Sequence, residues 1–139
     1  MKEEEALRLV NSFNFSADKA YPLKNEASGR VYWRATNQSE SIILCFLDPS
    51  LGNHNKFIDI SEQLSANDIS GVKVLHHDEK HGITIQNDLG DNDLLKVLDE
   101  NNKQELLNKS LDLLIDIQNI RFDNIDKFKS CLLYTSDAA

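Results

Sequence analysis

The stretch "HGITIQNDLGDNDLL", residues 81–95, decides how this chain is read. An apolar strand over 83–86 gives way to polar and glycine positions around a single leucine, Leu89, and then to a helix start. One reading is an ordinary strand-to-helix turn with Asp91 or Asn92 as the cap of a short helix running through Leu98. The other is a strand that stops because its last backbone groups are wanted for something else.

Working outward, the strand is the second arm of a hairpin. Residues 72–76 form the first arm and 78–82 a polar turn. Upstream, "KFIDISEQLSAND" places Phe57, Ile60 and Leu64 on one helical face, with Ile58 off it, and ends between Asn67 and Gly71. Before that helix lie two further β-rich runs, 31–35 and 41–47, separated by "TNQSE", a second hairpin. The N-terminus, "EEEALRLVNSFNF", carries Leu7, Val10 and Phe13 at helical spacing behind acidic residues that suit a first turn. Downstream, a long helix is expected over 103–120, with an apolar side of Leu107, Leu111, Leu114 and Ile115 that Leu106, Leu113, Ile117 and Ile120 widen. Pro22 and Pro49 fall at loop or strand-edge positions. Four antiparallel strands with one intervening helix make an α+β unit.

The chain has 139 residues, enough for one domain with a core of its own. Its 23 acidic residues outnumber 15 Lys plus Arg, a net charge of −8, and the basic residues are dispersed. That pattern argues against a nucleic-acid surface or an anionic-membrane patch. The acidic start and the lack of a long apolar run argue for a cytoplasmic protein. Two cysteines without metal-ligand spacing make no disulfide framework, and Cys45 in "SIILCFLD" reads as a small buried hydrophobe. His76, His77, Asp78 and His81 surround one turn, but neighbouring strand residues face opposite ways, so an exposed turn is expected rather than a metal site. Asp88, Asp91 and Asp93 lack calcium-loop spacing and are expected to cap helices. Tyr32 and Trp33 read as strand packing.

The order of hairpin, helix, hairpin, short linker and helices resembles the N-terminal lobe of protein-kinase-like phosphotransferases. "EASGRVYWRA" is similar to the "DASFRRYFR" pattern of the aminoglycoside phosphotransferase family, with Ser28, Arg30, Tyr32 and Arg34 matching position by position. "GITIQNDLGD" is similar to that family's "GF.LLEDLGD" segment. The likeness is to the branch of sugar and amino-sugar kinases that includes the anomeric kinases of cell-wall recycling, and it spans roughly residues 5–120. It implies a kinase-like N-terminal lobe over 1–86, an antiparallel sheet with one packed helix. A hinge over 87–92 follows, and then the first helices of a C-terminal lobe over 93–130.

The resemblance also implies a nucleotide site. The carbonyl of Asn87 and the amide of Leu89 would meet adenine, and Gly90 would let the chain turn close by. The loop holding Ser28, Gly29 and Arg30 would cover the ATP phosphates. "SIILCFLD" has Ile43, Leu44 or Cys45 where many relatives of protein kinases carry a phosphate-binding lysine, so Glu62 is expected as a solvated surface residue. The family's "HGD.H..N" and "D.D" segments, which supply the catalytic aspartate and the magnesium ligands, are not in the sequence. The implied function is the nucleotide-binding half of an ATP-dependent phosphotransferase for a sugar or amino-sugar hydroxyl, with ATP and Mg as cofactors and the magnesium ligands elsewhere. Alone, the chain is expected to show no phosphotransfer and only weak ATP binding. The alternative is a non-catalytic nucleotide-binding or interaction module. The last stretch, "CLLYTSDAA" at 131–139, matches a translated frame of a sequencing adapter and is read as foreign to the native protein.

Overall fold

The computed structural model describes residues 1–24 and 29–120. The first helix, α1 (Glu3–Ser12), precedes three strands: β1 (Lys19–Pro22), β2 (Val31–Thr36) and β3 (Ser41–Phe46). Helix α2 (Asn55–Ala66) leads to β4 (Val74–Asp78) and β5 (Ile83–Asn87), and the chain continues through α3 (Leu94–Val97) and α4 (Lys103–Asn119). All five strands join one antiparallel sheet in the order β1-β2-β3-β5-β4. The α+β expectation therefore holds, with five strands rather than four.

The additional strand, β1, is four residues ending in Pro22, paired with β2 from Lys19↔Thr36 to Pro22↔Trp33. Proline is tolerated there because β1 is an edge strand. In the second hairpin the first arm is shifted two residues along, to Val74–Asp78, with a register irregularity between Val74 and His76. Ser61 Oγ of α2 accepts a hydrogen bond from the Val74 amide at 3.1 Å, which ties α2 to the start of β4.

Strand alternation gives the sheet two unlike faces. The rows Val31–Phe46–Ile83 and Trp33–Leu44–Ile85, with Ala35 beside Ile42, point to one side, where Ala6 and Val10 of α1 and Ala17 and Ala20 complete a buried apolar cluster. Small residues on α1 and β1 let the helix sit close to Trp33 and Leu44. The apolar face is thus covered by the N-terminal helix, a partnership that periodicity alone did not assign. The opposite face carries the rows Tyr32–Cys45–Thr84 and Arg34–Ile43–Gln86. It is polar yet mostly buried: Arg34, Thr84, Cys45 and Gln86 are all among the least exposed residues. Polar groups in such a place need partners, and they are found around Arg34.

Gly82 closes the second hairpin at φ +64°, and a Cβ there would lie 1.9 Å from the Leu47 carbonyl oxygen, so the turn admits only glycine without displacement. Its own carbonyl accepts from the Leu47 amide at 2.9 Å and from the buried His54 ring at 3.0 Å. Helix α4 buries none of its residues, and Leu107, Leu111, Leu114 and Ile115 are exposed along it. Among the described residues, no helix is long and apolar enough to cross a membrane.

Candidate functional site

The segment 88–91 is held by one buried arginine. Arg34, in the middle of β2, donates from Nη1 to both carboxylate oxygens of Asp91 at 2.8 and 2.7 Å and from Nη2 to Asp88 Oδ1 at 2.9 Å. Its Nε lies 2.6 Å from Asp88 Oδ2, an ion-pair contact without hydrogen-bond alignment. Asp88 is buried and further satisfied by Ser41 Oγ at 2.7 Å and by the Gly90 amide at 2.8 Å. Lys96 Nζ then reaches back to the Asp91 carbonyl at 2.7 Å. A guanidinium matches two carboxylates because its donors form a rigid planar fork.

Electrostatics follow from these contacts. Hydrogen bonding to Asp91, against the cost of burial, raises the Arg34 pKa, so the guanidinium stays charged. Burial pushes the Asp88 carboxyl up, but Ser41, the Gly90 amide and Arg34 together outweigh it, and the group titrates below its ordinary value. The "DLGD" tetrapeptide is therefore an arginine clamp: two aspartates three positions apart grip one side chain, and Gly90 at φ +80° makes the bend between them. This corrects the expectation that Asp91 or Asn92 caps the next helix. Of the three aspartates expected to cap helices, Asp93 does so, its Oδ1 accepting from the Lys96 amide at 2.9 Å, whereas Asp88 and Asp91 are taken up by Arg34. Asp91 is committed to Arg34.

The clamp decides what the segment presents. The amide of Lys73 donates to the side-chain Oδ1 of Asn87 at 2.6 Å, not to its main-chain carbonyl, while the Asn87 amide donates to the Lys73 carbonyl. Leu89 points outward with 63% of its surface exposed, and its amide has no partner among the described residues. The Lys73 amide thus bypasses the Asn87 carbonyl, and Leu89, two residues past the end of β5, keeps an unpartnered amide among the described residues.

Of the other residues singled out from sequence, Gly29 and Arg30 are placed at the entry to β2, with Gly29 at φ +73°. Ser28 lies outside the described residues, as do 131–139. Arg30 lines a cavity of about 330 Å³ between the polar sheet face and α2, together with Tyr32, Cys45, His54, Lys56, Phe57, Ile60 and Gln86. The structure does not bring Gly29 or Arg30 into hydrogen-bonded contact with Asn87 or Leu89. Of these four residues only Arg30 lines that cavity.

Glu62 is exposed on α2, as expected. Cys45 is buried, and burial raises its thiol pKa. His81 Nδ1 pairs with Asp78 Oδ2 at 2.6 Å, and His76 stacks on Phe13, the residue that ends α1, with ring centroids 5.7 Å apart. Among the described residues, no group of three or more His, Cys, Asp or Glu is placed to hold a metal ion. His54 is buried, and desolvation lowers its pKa. Neutral, it donates from Nε2 to Gly82, an arrangement that no local pattern announced.

No protein-family model matches the chain, and comparison with curated proteins finds no significant match.

Proposed function

We propose that this chain is the nucleotide-covering part of an ATP-dependent phosphotransferase that acts on a sugar or amino-sugar hydroxyl. The observation that carries the reading is the backbone at the end of β5. A purine edge needs one acceptor and one donor, and the reading assigns these to the Asn87 carbonyl, which the Lys73 amide bypasses for the side chain, and to the exposed Leu89 amide. The Arg34 clamp supports it, because a segment meant to present main-chain groups must be stiff, and two carboxylates on one buried guanidinium make it so. The element order of hairpin, helix, hairpin and helices also supports it. Magnesium and the catalytic aspartate would come from outside the described residues, which hold no suitable cluster.

The test is titration of the full chain with adenosine and with ATP, with and without Mg²⁺. Weak binding of both, nearly independent of magnesium and without turnover, is expected. Leu89→Pro removes the amide donor at an exposed position and should abolish adenosine binding, whereas Leu89→Ala, which keeps it, should not. Adenosine binding that survives Leu89→Pro in a folded chain would overturn the hinge assignment. Tight magnesium-dependent binding would overturn the division of labour.

A second reading, an interaction module without catalysis, is favoured by one observation. Among the described residues the apolar side of α4 buries nothing, and Leu107, Leu111 and Leu114 form an exposed apolar stripe that a partner could cover.

A further inference from the structure

We infer that His54 is an acid-operated latch: protonation of its buried ring releases the first turn of α2 from the β4–β5 turn and opens the cavity that α2 closes against the sheet. The inference goes beyond the nucleotide reading, because it requires no ligand.

The latch joins three segments. His54 immediately precedes α2, is 5% exposed, and places Nε2 3.0 Å from the Gly82 carbonyl oxygen, which also accepts from the Leu47 amide. A carbonyl can only accept, so Nε2 carries the hydrogen of the neutral ring and Nδ1 keeps a lone pair. Nδ1 is sealed from solvent and has no partner among the described residues. A second proton could go only there. It would make a buried cation with a donor that nothing accepts, which surroundings of low dielectric penalise heavily.

The neighbours offer that cation no relief. Arg30 at the entry to β2 and His77 on β4 both oppose a positive charge on the ring. Arg30, Tyr32, Cys45 and Lys56 share the cavity wall with His54, and none of them is a carboxylate. The acids of the β4–β5 turn are engaged elsewhere, Glu79 with the Asn55 side chain at 3.4 Å and Asp78 with His81. Burial first, then the two cations, outweigh the pull of the Gly82 hydrogen bond and hold the His54 pKa below its ordinary value. A histidine so placed takes up its proton by leaving its site.

The release stays local because α2 is lightly held. Ser61 is its one buried residue, whereas Leu44, Thr84 and Ile85 of the sheet are wholly buried. An element with so little burial opens at a fraction of the cost of the sheet. The bond from the Val74 amide to Ser61 Oγ keeps the middle of α2 on β4, so the motion falls on the turns before it. In the open form the ring is in water with a pKa of about 6.5, so the latch is closed above that pH and yields as pH falls below it. One unit lower, the opening equilibrium has risen by up to about tenfold.

The experiment is hydrogen exchange of the full chain, read by NMR at pH 7.5 and 5.5 and corrected for intrinsic exchange rates. The Ile58 amide, which donates to the His54 carbonyl, reports the first turn. In the parent its protection should fall several-fold, up to about tenfold, at the lower pH while the amides of β3 and β5 keep theirs. In His54→Gln, whose amide nitrogen keeps a donor for Gly82 and does not charge, the protection should not change with pH. The His54 ring protons should titrate below pH 6.5, and His77→Gln, a change at an exposed residue, should move that titration upward. This last arm needs no substitution at the latch and holds even where His54→Gln fails to fold. Unchanged Ile58 protection in the parent, an equal fall in His54→Gln, a fall spread evenly through β3 and β5, or a His54 titration at or above 6.5 or indifferent to His77→Gln would overturn the latch.

Discussion

Removal of the Arg34 guanidinium tests the clamp most directly. In Arg34→Met the aliphatic stem is kept while all contacts to Asp88 and Asp91 are lost. The two aspartates should then behave differently. Asp88 has a side chain only 7% exposed, so it is left as a buried charge with Ser41 and the Gly90 amide as its remaining partners. Asp91, at 75%, is returned to water at little cost. Breaking a buried pair from one side costs about 3–5 kcal/mol, a large share of a typical domain's stability of about 5–15 kcal/mol. With a urea slope of about 1.5 kcal/mol/M, the lower figure moves the unfolding midpoint down by about 2 M. Trp33 is the sole tryptophan and is buried beside Arg34, so its fluorescence reports the transition. Asp91→Asn should cost less than about 1 kcal/mol. Arg34→Met combined with Asp88→Leu should cost clearly less than the sum of the single changes, the signature of direct coupling. The acid limb adds a second readout. Asp88 titrates below its ordinary value when folded, so its contribution is complete above the unfolded value of about 3.9 and is lost as pH falls through the folded one. This contribution to stability should decline as pH falls below about 4, and Asp88→Asn should flatten that decline. An Arg34→Met midpoint within error of the parent, or additive double-variant costs, would refute the reasoning.

Other consequences are checked as simply. Gly82→Ala places a Cβ 1.9 Å from the Leu47 carbonyl at a left-handed φ, and a loss of at least about 2 kcal/mol is expected in the same urea titration. In a Cys131→Ser background, Cys45 should resist thiol alkylation in the native state and react at a rate set by unfolding, because it is buried with a raised pKa. Leu111→Lys on the exposed side of α4 should change stability by less than about 0.5 kcal/mol and reduce any self-association seen by sedimentation.

Local pattern was enough wherever a residue's role depends on near neighbours. The helical spacing of Leu7 and Val10, the β-rich runs around Trp33 and Leu44, and the polar turn ending at Gly82 led to α1, β2, β3, β5 and α4 within a residue or two. Glycine at 82 and 90 marked bends that the backbone confirms with positive φ. β1 escaped notice because "KAYP" is four residues with a terminal proline and becomes a strand only through its pairing with β2. The clamp escaped for a related reason: Arg34 meets Asp88 and Asp91 across 54 and 57 residues. A signal was present nonetheless. An arginine between Trp33 and Ala35 in an apolar strand cannot be buried without a carboxylate, and "DLGD" offers two. Sequence by itself thus determined the kinds of element and their order, since periodicity and turn chemistry are local. Only the tertiary structure decided that α1 covers the apolar face, that Asp91 serves Arg34 and not a helix end, and that Arg30, Lys56 and Gln86 share one cavity. Each of these depends on strand register, which converts distant positions into neighbours and which no short stretch encodes alone.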